Sequence, residues 1–169
     1  VYGLSDATYV TKRSFDMLTV PPKVPYKATT IREGNFNANI STVRTDDKLY
    51  GNAKITKIDL NNVTQVSPKA FYGSQNLETV IANKVKKIGS SAFRGTKVSK
   101  FNFPELEELA YDSQGNYNHT TYSRPITDLI VGQVFPSTTT HIIIGSKLTK
   151  IGAWALVGTE TRSMYCNSN

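Results

Sequence analysis

A short repeat with a period of about 21 residues constrains this chain more than any other feature. Its clearest copy is the stretch 77–95, LETVIANKVKKIGSSAFRG, whose apolar spacing fits neither one helix nor one long strand. Taking Ile88 as the anchor of this copy, equivalent apolar positions recur at a step of 22 before it and at successive steps of 21 after it: Val66, Leu109, Ile130 and Ile151. A spacing kept over several copies indicates an array of similar structural units, each with two short strands and a tight turn.

Three further apolar columns keep the same step. They are Val63, Val85, Leu106 and Leu148, then Ile58, Val80, Phe101, Tyr122 and Ile143, then Ala70, Ala92, Val134 and Ala155. One such unit cannot bury its own apolar face, but stacked units place each column on itself as parallel strands about 4.8 Å apart. The pattern therefore predicts a mainly β solenoid of about six rungs, with short helical turns that end at Gly73, Gly95 and Gly158.

The two ends and the middle of the array are less regular. An upstream copy is predicted around Ile40, Val43 and 49–51, and a seventh strand is predicted over 162–166. The Leu109 rung lacks the usual Ala-Phe turn and carries the polar stretch 111–119 instead. Because the step from Leu109 to Ile130 stays at 21, we expect this turn to be substituted rather than inserted.

The frames VTQVSPKAFYG (63–73), VKKIGSSAFRG (85–95) and LTKIGAWALVG (148–158) resemble the BspA-like, Treponema-type leucine-rich repeat. The resemblance covers about 31–158 and is clearest over 55–109. Glycine replaces the cysteine that usually ends the repeat. The resemblance implies a curved solenoid on or outside a bacterial cell, a role in adhesion or host-protein binding, and no catalytic residues.

The N-terminal segment does not keep the repeat, so we place a boundary between residues 1–30 and the solenoid at 31–169. Pro21, Pro22 and Pro25 favour an extended segment there. Since a solenoid needs its first rung covered, a cap is the favoured interpretation. An arm that packs on another subunit or domain is the alternative.

Composition and motifs limit the function. A net charge of +7 permits anionic partners, but the sequence has no arginine-rich stripe with interleaved aromatics, which disfavours nucleic acid. No apolar run reaches the roughly 18 residues that a membrane-spanning helix needs, so no span is predicted. Cys166 is the only cysteine. We find no catalytic, metal or cofactor motif, and the two histidines, His119 and His141, lack a third ligand at a suitable spacing.

We therefore expect a non-enzymatic, extracellular or cell-surface module for adhesion and protein binding, with a host or matrix protein as partner and no cofactor. The alternative is a structural subunit of an extracellular fibre or particle, which would use the N-terminal arm and an open C-terminal edge to contact neighbouring subunits. Alternation along strands predicts the outward-facing binding residues. They are Lys57, Thr79, Lys100, Thr121 and Ile142, then Asp59, Ile81, Asn102, Ser123 and Ile144, with Tyr111 and Tyr117 from the altered turn.

Charges on the second strands are expected to pair between rungs. Lysines of one rung precede acidic residues of the next by one repeat step: Lys84, Lys86 and Lys87 against Glu105, Glu107 and Glu108, continued by Asp128, Lys147 and Lys150. In-register stacking sets these opposite signs about 5 Å apart, which favours a solvated charge ladder over a basic ligand site.

Overall fold

The computed structural model describes residues 9–10, 30–31, 56–111 and 133–166. Eleven short strands lie in these ranges. They are β1 (Tyr9–Val10), β2 (Thr30–Ile31), β3 (Lys57–Asp59), β4 (Gln65–Val66), β5 (Thr79–Ile81), β6 (Lys87–Gly89), β7 (Lys100–Phe103), β8 (Glu108–Tyr111), β9 (His141–Ile144), β10 (Lys150–Ile151) and β11 (Ser163–Cys166). A rung has a first strand and a second strand. The first strands are β3, β5, β7, β9 and β11, and the second strands are β4, β6, β8 and β10, whose sheet β1 and β2 extend.

All strand pairs are parallel, as a stack of equivalent rungs requires. A six-stranded sheet has the order β1-β2-β4-β6-β8-β10, and the first strands form β3-β5 and β11-β9-β7. In the six-stranded sheet the predicted anchors are paired neighbours: Val66 with Ile88, Ile88 with Leu109, and Leu109 with Ile151. The predicted leucine-rich-repeat solenoid is confirmed.

The turns that follow the second strands are built from backbone hydrogen bonds between residues three apart. Ala70 N donates to Ser67 O, and Tyr72 N donates to Lys69 O. This is the bond of a 3₁₀ turn, and no run in the described ranges is long enough to form a helix. The predicted helical turns are therefore successive tight turns.

The core is a column of apolar side chains between the two strand layers. Phe93 is fully buried, as the repeat predicts, and its ring stacks on Phe71 with centroids 5.3 Å apart. Phe101 continues the aromatic column, 5.1 Å from Phe93 and 4.9 Å from Phe135. The Val63, Val85 and Leu106 positions of the repeat are also fully buried.

The rung after Phe93 is built from two separate pieces of chain. Its strands are β7 and β8, but the turn beside Phe93 comes from much later, because Phe93 N donates to Val134 O at 2.9 Å. Strand β8 then pairs directly with β10, and β7 with β9. Gly145 packs so closely on Pro104 that no further rung fits between them. We call this unit the composite rung.

The expectation that the altered turn is substituted rather than inserted is wrong. Gly89 pairs with Tyr111, which follows it in sequence by about one repeat length. Phe93, in contrast, bonds the Val134-Phe135 turn, which follows it by about two repeat lengths. The stretch 113–132 accounts for the extra step and is therefore an insertion into the repeat, and it lies outside the described residues. Ile130 belongs to it and is not an anchor. The predicted first-strand residue Tyr122 also lies outside the described residues.

The upstream copy also differs from the prediction. Ile31 pairs with Val66, so the neighbour of the Val66 anchor is Ile31 rather than Val43. Strand β1 then pairs with β2, Val10 beside Ile31. The Ile40–Gly51 stretch lies outside the described residues, and the division into residues 1–30 and 31–169 stays a prediction.

The predicted seventh strand is present as β11, where Tyr165 pairs with Ile143. The register of β9 against β7 is one position away from the predicted one: Phe101 pairs with Ile142 rather than Ile143. Paired residues on the two sides of the insertion are thus one residue closer in sequence in the first strands (Phe101 with Ile142) than in the second strands (Leu109 with Ile151).

Candidate functional site

The outward face of the first strands carries the predicted binding residues of β3, β5 and β7. Lys57 and Thr79 are exposed and paired, and Lys100 and Asn102 are exposed along β7. Asp59 and Ile81 are paired neighbours and half-buried. Four of these six side chains are thus exposed and two are half-buried, which agrees with the outward direction that strand alternation predicts. That they bind a partner stays a prediction.

The expectation that Ile142 and Ile144 face outward is wrong. Both are fully buried, and Ile143 between them is 48% exposed. A slip of register by one position exchanges the two faces of a strand, and this is the slip found between β7 and β9. The outward residues of β9 are therefore His141 and Ile143.

With the register of β9 corrected, six side chains lie together on the outward face of the sheet formed by β7, β9 and β11. We call this surface the strand-face patch. Its members are Lys100, Asn102, His141, Ile143, Ser163 and Tyr165, all of them exposed. Ile143 and Tyr165 are paired neighbours, and Tyr165 is 68% exposed. His141 Nδ1 lies 2.9 Å from Thr140 Oγ1, which holds the imidazole at the edge of the patch. An exposed tyrosine and isoleucine ringed by polar groups suit a protein contact.

Tyr111 is a structural residue rather than the binding residue that we expected. It ends β8 and is only 7% exposed. Its hydroxyl donates to Val66 O at 3.1 Å and accepts from Gln65 Nε2 at 2.8 Å, so the side chain spans the rung that lies between them. Burial raises the pKa of this hydroxyl. Tyr117, Thr121 and Ser123 lie outside the described residues.

The charge ladder forms on the second strands. Lys86 Nζ lies 2.9 Å from Glu107 Oε1, and Lys87 Nζ lies 3.1 Å from Glu108 Oε2, as predicted. The third expected pair is exchanged, since Lys84 bonds Asn62 and Glu105 is bonded by Lys147. Asp128 lies outside the described residues.

These pairs influence titration mildly. The hydrogen bond to Glu107 raises the pKa of Lys86, and the hydrogen bond from Lys147 lowers the pKa of Glu105. Because the groups are solvent-exposed, the ladder stabilises the stack weakly and offers no concentrated positive surface.

The last rung leaves apolar side chains in solvent, a surface that we call the open end. Ile151, Trp154 and Val157 are 51%, 41% and 41% exposed and line a shallow concavity of about 420 Å³. Strand β10 is the outer strand of the six-stranded sheet in the described part of the chain. The sequence predicted an open C-terminal edge but did not single out these three residues.

Among the described residues, no three His, Cys, Asp or Glu side chains come close enough to hold a metal ion. No helix long and apolar enough to cross a bilayer occurs in the described ranges.

Comparison with known families agrees with the stacked rungs. The family model for the BspA-type leucine-rich-repeat region matches residues 19–121 in six copies. The chain belongs to this family. No curated protein and no solved structure matches the chain significantly.

Membership in the BspA-type family carries general expectations about function. Leucine-rich repeats of this kind generally form protein-interaction modules rather than enzymes, and the family is typically found at the cell surface or in secreted proteins. The family match ends at residue 121, whereas strands β9, β10 and β11 continue the same parallel stack beyond it.

Proposed function

We propose that this BspA-type chain is a non-enzymatic, extracellular adhesion module that binds a host or matrix protein through the strand-face patch. The observation that supports this most strongly is the exposed pair of Ile143 and Tyr165 on a rigid parallel sheet. Tyrosine is enriched at interface hot spots because it brings a large, stiff, amphipathic surface. Lys100, Asn102 and His141 supply the polar rim around this pair.

The test compares adhesion of wild type and two patch variants, Ile143→Asp and Tyr165→Ala. Beads coated with each protein are applied to epithelial cell layers and to the cell-free matrix that such layers leave behind. We expect binding to fall at least tenfold for each variant, within the range of a hot-spot truncation. Protease treatment of the matrix should also abolish the binding.

The matched control is Val157→Asp, which places the same charge at an apolar residue of similar exposure on the open end. It should leave adhesion unchanged. Equal adhesion by wild type and both patch variants would refute this assignment of the face. Binding that survives protease would refute a protein partner.

A second candidate function is a subunit of an extracellular assembly, with a second copy of this chain as the partner. The open end favours it, because exposed Ile151, Trp154 and Val157 flank the outer side of β10. In the described part of the chain the opposite edge of the same parallel sheet is β1, so head-to-tail contact between copies would continue the sheet in the same direction.

The assembly proposal predicts self-association that Val157→Asp weakens and Ile143→Asp does not. Sedimentation velocity over a hundredfold range of micromolar concentrations measures it. A monomer throughout this range would rule out assembly through the open end, and oligomers that Ile143→Asp disrupts would place the contact on the strand-face patch instead.

A further inference from the structure

A polar groove of about 500 Å³ crosses the turns and shares no residue with the strand-face patch. Its floor is the position that ends the Ala-Phe turn in four successive rungs: Gly73, Gly95, Ser137 and Gly158. The rungs are successive because Phe71 N donates to Ala92 O, Phe93 N to Val134 O, and Val134 N to Ala155 O. At about 4.8 Å per rung the floor is about 14 Å long, so the groove suits an extended ligand.

The groove is open because its floor has almost no side chains. Gly73 and Gly95 have φ of 72° and 76°, which the turn requires and which favours glycine. A Cβ at Gly95 would also meet Gly73 Cα at 3.2 Å. The backbone geometry thus explains the glycines, and the groove follows from it. The residues of the walls are what indicate a ligand.

Arg94 forms one wall and has no acidic partner among the residues that the structure describes. Its guanidinium lies over the Tyr72 ring at 5.5 Å, and it makes no ion pair with any described residue. The ladder lysines such as Lys86, in contrast, contact carboxylates. An arginine that lies over an aromatic ring and pairs with no carboxylate of the described ranges presents a planar donor set that matches a carboxylate.

Gln133 is a second wall residue of the groove and is only 9% exposed. Its Nε2 donates to Phe135 O at 3.0 Å, while its Oε1 accepts no hydrogen bond from the described residues. With no donor from the described residues, this amide oxygen can accept a hydrogen bond from a ligand in the groove. Gln75 and Ser137 also line the groove. Amide and hydroxyl groups both donate and accept, as sugar hydroxyls do.

We propose that this groove binds an acidic saccharide, with the sugar carboxylate on Arg94 and sugar hydroxyls on Gln133, Gln75 and Ser137. The net charge of +7 favours a polyanionic glycan. An acidic peptide would also reach Arg94, but apart from the Tyr72 ring the lining consists of glycine, glutamine, serine and arginine, which offers little apolar surface to peptide side chains. This site goes beyond the proposed protein-binding function, because it uses a different surface.

The test is calorimetric titration of the intact chain with trigalacturonate, its fully methyl-esterified form and triglutamate. We expect trigalacturonate to bind and the ester to bind at least tenfold more weakly, as loss of a charge-assisted hydrogen bond predicts. Arg94→Gln should weaken binding at least tenfold. Ser137→Trp, which fills the floor at an exposed position, should abolish it.

The matched control is Arg162→Gln, which removes the same charge at an exposed residue outside the groove and should change affinity less than twofold. Unchanged melting temperatures verify that the variants fold. The proposal is overturned if trigalacturonate does not bind at millimolar concentration, if its ester binds equally well, or if Arg94→Gln and Arg162→Gln weaken binding equally. Tighter binding of triglutamate would assign the groove to acidic peptides instead. Adhesion through Ile143 and Tyr165 is measured separately, so either proposal can fail alone.

Discussion

The rungs built from residues 57–97 and the composite rung each have a first strand, a second strand and a turn, but the chain builds them differently. In the first region each rung is one continuous stretch, and its anchors Val66 and Ile88 pair one repeat step apart, as Ile88 does with Leu109 of the composite rung. In the composite rung the strands come from 100–111 and the turn from 133–139, with an insertion between them. A period in sequence and a period in space are therefore separate properties. An insertion about one rung long keeps the spacing of apolar residues in the sequence, but residues one repeat length apart are then no longer neighbours in the stack.

The largest expected effect tests the register across the insertion. Ile142→Asp places a carboxylate in the core and should cost about 5 kcal/mol or more, enough to unfold a typical domain. Ile143→Asp at the exposed neighbouring position should cost less than about 0.5 kcal/mol. Circular dichroism during urea unfolding measures both. The reverse order of effects would restore the register that the repeat alone predicts.

The second prediction asks whether the two regions share one aromatic core. Phe93→Ala and Phe135→Ala should each lower the free energy of unfolding by about 3–5 kcal/mol, because both rings are fully buried. Guanidinium titration provides the measurement. A loss under about 1 kcal/mol for Phe135→Ala alone would show that the turn at 133–139 does not complete the composite rung.

The third prediction removes the difference between the regions. Deleting residues 113–132 joins Asp112 to Gln133 and should convert the composite rung into an ordinary one. If closing the chain across these 20 inserted residues costs conformational entropy, stability should rise by about 1–3 kcal/mol when they are removed. Thermal unfolding monitors the outcome, and deletion of 91–110, which removes buried core, serves as the control that should not fold. Loss of folding on deleting 113–132 would mean that the insertion supports the core.

The smallest effect concerns the charge ladder, which runs across both regions. Reversing Lys86 to glutamate sets two carboxylates side by side at Glu107. The melting temperature should fall slightly at low ionic strength and hardly at all at high ionic strength, because exposed pairs are screened. A decrease that does not depend on salt would contradict a solvated ladder.

Sequence reasoning predicted the parallel stack, the buried Phe93 and the Lys86–Glu107 pair, because each depends on a local frame repeated at a fixed step. It failed at the insertion, where Ile130 reproduces the anchor spacing and Val134-Phe135 reproduces the turn. It also misplaced Ile142 and Ile144, since three consecutive isoleucines have no polar alternation to indicate which face is buried. The polar groove escaped notice because its walls, Arg94 and Gln133, lie far apart in the sequence, on opposite sides of the insertion.

The Tyr111 side chain, which connects the composite rung to the Val66 carbonyl across the Ile88 rung, changes how this solenoid comes apart. A stack held only by adjacent contacts unzips one rung at a time from its ends. A bond that passes over a rung means that the rung beneath it cannot fray until its neighbours on both sides separate. Amide hydrogen exchange should therefore show these three rungs opening as one cooperative unit, held together by the bond from Tyr111 to Val66.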